Sequence, residues 1–86
     1  RPMNRTEIEE AIRSLFTALK QDKVESLLVH HSDWGINVRM FLNGDIFELD
    51  LIENCNGYEV EIANSEGKPP AQIDELSKLT QLLQLL

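Results

Sequence analysis

Between Asn4 and Lys20, apolar side chains recur at the spacing of one helical face. Ile8, Ile12, Leu15, Phe16 and Leu19 form the stripe, Ala11 flanks it, and Glu9, Glu10, Arg13 and Lys20 fall outside it. This pattern predicts an amphipathic helix. Thr6 followed by Glu9, or Asn4 followed by Glu7 one step earlier, supplies a capping signal at its start. The stripe needs a second surface to cover, so the helix belongs to a layered fold.

The period changes at Val24. The short apolar run Val24 to Val29, interrupted by Glu25 and Ser26, predicts a first strand, and His30 to Gly35 reads as a connection rich in turn formers. Asn43-Gly44 then sits between two alternating runs and predicts a two-residue hairpin turn. Pairing outward from that turn sets Leu42 against Asp45, Phe41 against Ile46, Arg39 against Glu48 and Val38 against Leu49. One face then carries Ile36, Val38, Met40, Phe47, Leu49 and Leu51. The other carries Asn37, Arg39, Glu48 and Asp50, with Phe41 and Ile46 near the turn.

Asn56-Gly57 repeats the turn signal and predicts a second hairpin, with Cys55 opposite Tyr58, Glu53 opposite Val60 and Leu51 opposite Ile62. Glu53 conflicts with strict alternation in that register. The sheet ends there, a bulge shifts the pattern near Ile52, or Glu53 reaches water at the rim. Ser65 to Pro70 reads as a linker, since two prolines interrupt a continuing strand. Ala71 to Leu86 predicts a final helix, with Leu76, Leu79, Leu83 and Leu86 spaced by three, four and three, Leu82 and Leu85 widening the stripe, and Asp74 near its start. The expected architecture is α+β: a two-layer, four-stranded antiparallel meander with an N-terminal and a C-terminal amphipathic helix, over residues 1–86 as one small domain, standing free or excised from a longer chain. Both helices are expected on the Val38 and Leu49 face, because Asn37, Arg39, Glu48 and Asp50 suit the opposite face to water.

Fifteen acidic residues against eight basic ones give a net charge of −7, which disfavours a phosphate backbone or an anionic membrane as a direct partner. With one cysteine, Cys55, the chain has neither an internal disulfide nor a multi-cysteine zinc site. The absence of a long apolar run leads to a cytoplasmic expectation, with no membrane contact.

Candidate chemistry is sparse. His30 and His31 are adjacent, so in a strand they face opposite sides, and only one joins Asp33 easily. Cys55 beside a histidine is the other catalytic arrangement, a small hydrolase-like enzyme using His30 or His31, but no spacing demands it. No catalytic residue, metal ligand or cofactor is assigned. Glycines 35, 44, 57 and 67 all fall at predicted turns, so they explain chain reversals and make no phosphate loop.

Binding candidates are clearer. Trp34 lies in a turn-rich connection, Phe41 and Ile46 stand together on the polar face, and Leu79, Leu82, Leu83 and Leu86 crowd the last helix. The expectation is a protein-interaction module with an acidic surface (an adaptor, inhibitor or small regulatory subunit). Its partner is another protein of basic character, or a second copy joined as a homodimer through the C-terminal helix. The alternative is an acidic nucleic-acid mimic built on Asp45, Glu48, Asp50, Glu59 and Glu61.

Overall fold

Asn4 caps the first helix: its Oδ1 accepts a hydrogen bond from the Glu7 backbone N–H at 2.8 Å, and its Nδ2 donates to Glu7 Oε1 at 2.8 Å. The earlier of the two capping signals is therefore the one used. Helix α1, Arg5–Lys20, follows. Met3 just before the cap and Ile8 in the next turn are both buried, at the positions of a hydrophobic staple.

The computed structural model describes residues 3–20, 24–42, 44–63 and 70–84. After α1 come β1 (Val24–His31), β2 (Gly35–Leu42), β3 (Asp45–Asn54), β4 (Gly57–Ile62), β5 (Ala71–Ile73) and α2 (Leu76–Gln84). The strands form one five-stranded antiparallel sheet in chain order, with α1 packing against both α2 and β1. The two-layer meander flanked by two helices is as expected, but the sheet has a fifth strand. Ala71 and Gln72 extend instead of opening the last helix, pairing with Val60 and Glu59, while Ile73 pairs with Tyr58. Prolines ahead of a short edge strand do not interrupt a central ladder.

The first hairpin has the register set by its turn, from Leu42 with Asp45 through Ile36 with Leu51. The second differs. Asn54 pairs with Gly57, Glu53 with Tyr58, Leu51 with Val60 and Leu49 with Ile62, so Cys55-Asn56 rather than Asn56-Gly57 forms the loop. Asn54 Oδ1 accepts from the Asn56 backbone N–H at 2.9 Å, a local bond that turns the chain one residue early. The pairing slips by two positions, which leaves every side chain on the face its alternation assigned.

The covered face supplies Ile36, Val38, Met40, Leu49, Leu51, Tyr58, Val60 and Ile73 to the core. α1 adds Ile8, Ile12 and Phe16, and α2 adds Leu79, so both helices lie on the same side. Leu27 and Val29 from β1, Phe47, Ile62 and Ala71 from the later strands, and Leu76 and Leu82 from α2 pack against this core as partly buried side chains. Glu53 reaches the rim of the layer, where it meets Arg5 of α1 and the Tyr58 hydroxyl.

Candidate functional site

The helices leave one side of the sheet open. Alternation from the paired strands places Leu28 and His30 of β1, Asn37, Arg39 and Phe41 of β2, and Ile46, Glu48, Asp50 and Ile52 of β3 on that side. Glu59 and Glu61 of β4 continue it, opposite Ile52 and Asp50. Leu28 is 56% exposed and Ile46 62% exposed, whereas Phe41 between Ser26 and Ile46 is half-buried.

Between the two apolar ends runs a polar belt bonded to itself. Asn37 Nδ2 donates to Glu48 Oε2 at 3.0 Å and to Asp50 Oδ1 at 2.7 Å, and Arg39 Nε donates to the same Glu48 oxygen at 2.7 Å. The bonds from Asn37 and Arg39 hold the Glu48 carboxyl below the ordinary value of 4.5. The Glu48 carboxylate is therefore fixed in place by both donors. Among the described residues, four carboxylates, Glu48, Asp50, Glu59 and Glu61, share the face with the single guanidinium of Arg39.

Trp34 closes the far end. A side chain at Gly35 would collide with the Leu51 backbone carbonyl, and the φ of +152° also favours glycine, so the strand approaches β3 closely there. This approach brings the Trp34 carbonyl within 2.8 Å of the Glu53 N–H. Ser32 and Gly35 exchange backbone bonds of 2.9 and 3.4 Å across the turn. The indole, 45% exposed, lines an open depression of about 200 Å³ together with Asp50 and Ile52.

Of the expected binding residues, Phe41 and Ile46 pair at one end of this open side and Trp34 stands at the other, beside Asp50 and Ile52. Leu79 is fully buried in the core and Leu82 is partly buried against it, so α2 spends these leucines on its own sheet. The Leu83 side chain and Leu86 lie outside the described residues.

His31 and His30 do face opposite sides. His31 Nε2 is 2.7 Å from Glu9 Oε1, which ties the end of β1 to α1, while His30 stands on the open face beside Asn37. Cys55 is exposed in the β3–β4 turn. Among the described residues, no three His, Cys, Asp or Glu side chains converge as a metal site, and no helix is long and apolar enough to cross a membrane. Asp45 falls on the other side of β3 from Glu48 and Asp50, so the five carboxylates of the mimic reading do not share one face.

Leu28 and Ile52 are open-face residues that periodicity alone passed over. Their signal is adjacency. In Leu27-Leu28 and Leu51-Ile52 only one member of each pair can enter a one-sided core, and the other must look outward. The chain matches no protein-family model, no curated protein and no solved structure with which it was compared.

Proposed function

We propose that this chain is a protein-interaction module, an adaptor, inhibitor or small regulatory subunit, that docks a basic partner on the open face of its sheet. The observation that carries this reading is the composition of that face: exposed Leu28, Ile46 and Trp34 around an acidic belt whose side chains are already held by one another. Apolar ends supply area to bury, and a preformed carboxylate row steers and orients a cation-bearing surface. A nucleic-acid mimic draws less support, because its carboxylates are interleaved with large apolar side chains and Asp45 lies apart from them.

The test compares three immobilised proteins in extract from the source cells: the natural chain, a Leu28→Ser/Ile46→Asp variant, and a Thr17→Asp control on the exposed side of α1. Circular dichroism first establishes that all three are folded. Proteins retained by the natural chain and the control, lost from the open-face variant and released by moderate salt, are the expected outcome. An identical retained set on all three proteins refutes the open face as the docking surface.

A further inference from the structure

Resting on the open-face reading, we propose that the depression beside Trp34 is the seat for an arginine side chain of the basic partner. The seat is built before any partner arrives. Gly35 packed on the Leu51 carbonyl, the Trp34 carbonyl bonded to the Glu53 N–H at 2.8 Å and the Ser32–Gly35 pair fix the turn that carries the indole. Little backbone ordering is left for binding to impose on it.

The walls select the occupant. Trp34 offers an aromatic face, Ile52 an apolar wall and Asp50 a carboxylate, all lining the same space of about 200 Å³. Asp50 Oδ1 is held by Asn37 Nδ2 at 2.7 Å, so the carboxylate has a fixed direction. Glu61 stands opposite Asp50 and Glu59 opposite Ile52, so an acidic occupant meets three carboxylates. A leucine or phenylalanine would take the Asp50 carboxylate out of water with no charge to answer it. A planar guanidinium satisfies both walls at once, stacking on the indole while donating to the carboxylate, and its methylene stem lies along Ile52. A lysine supplies the charge but not the plane.

Trp34 is the chain's one tryptophan, so its emission reports on this seat directly. The experiment titrates the whole chain with an end-blocked hexa-arginine peptide, following indole fluorescence and, in parallel, backbone amide shifts. A saturable emission change is expected. The affinity should drop by about tenfold in Asp50→Asn, which keeps an oxygen for Asn37 but removes the charge. Hexa-lysine of equal charge should bind several-fold more weakly. The seat is overturned if emission does not respond, if Asp50→Asn binds as tightly as the natural chain, or if hexa-lysine matches hexa-arginine. Amide shifts separate that failure from failure of the open-face reading. Shifts clustered at Leu28, Phe41 and Glu48 with a silent Trp34 leave the open face standing and remove only the seat, whereas shifts confined to α1 and α2 remove both.

Discussion

Arg5 in the first turn of α1 is ion-paired with Glu53 at the end of β3, and Glu53 also accepts a bond from the Tyr58 hydroxyl at 3.4 Å. Helix and sheet are joined at the rim by charge where the apolar layer ends. The bond to Arg5 holds the Glu53 carboxyl below its ordinary value of 4.5, and bonds from His31, at the end of edge strand β1, and then from Arg13 do the same for Glu9, one turn further along α1.

These depressions set the direction of the pH dependence. A carboxylate whose folded value lies below its unfolded one stabilises the fold above the unfolded value, and that contribution is lost as pH falls through the folded value. Urea midpoints should therefore stay level between about pH 7 and 5 and decline below about 4.5. Glu53→Gln should show a shallower acid decline than the natural chain. The effect is modest because the pairs are exposed and screened by salt.

Asn4→Ala removes the acceptor for the Glu7 N–H at the start of α1. The expected loss is about 1 kcal/mol in denaturant unfolding. Thr6→Ala should cost distinctly less, since the helix begins before Thr6 and the cap is already made.

Leu79→Ala empties a fully buried site between α2 and the sheet. It should cost about 2–5 kcal/mol. Ile46→Ser, on the open face, should fall within about 0.5 kcal/mol of the natural chain. Sedimentation of the Leu79 variant separates core from association. Loss of stability with unchanged mass assigns the residue to the fold, and a change from dimer to folded monomer assigns it to self-association.

Gly44 and Gly35 both have positive φ, +84° and +152°, but their surroundings differ. A Cβ at Gly44 meets nothing within 4 Å, so Gly44→Ala should cost only the backbone term of about 1–2 kcal/mol. Gly35→Ala must also push β2 away from the Leu51 carbonyl and should cost more. It should shift Trp34 emission as well, because the same approach positions the indole.

The first hairpin was legible because two independent signals agreed: the Asn43-Gly44 turn and the alternation on both sides of it. In the second hairpin they did not discriminate. A two-residue slip preserves every face, so the alternation of Leu49, Leu51, Tyr58 and Val60 fits both registers, and the choice fell to Asn54 bonding ahead to Asn56. The conflict at Glu53 was the hint, and the rim is where it went.

The fifth strand was hidden by its size. Ala71, Gln72 and Ile73 are too few to show a period, and the prolines before them argued for a break when they mark only an edge. The open face was partly legible. Phe41 opposite Ile46 follows from the first turn, but the place of Trp34 beside Asp50 and Ile52 depends on a backbone approach at Gly35 that no local pattern encodes. Leu79 looked like a docking residue because a leucine stripe reads the same whether it covers its own sheet or another chain.

Strand order that follows chain order has a kinetic consequence. The first three hairpins close over two or three residues each and can form in about 1–10 μs. The contact between α1 and α2 instead joins segments separated by the entire sheet, and so closes a much longer loop than any hairpin does. Neighbouring pleats can thus pair through local contacts, whereas the clasp across their greasy side is the long-range kind of contact that slows folding.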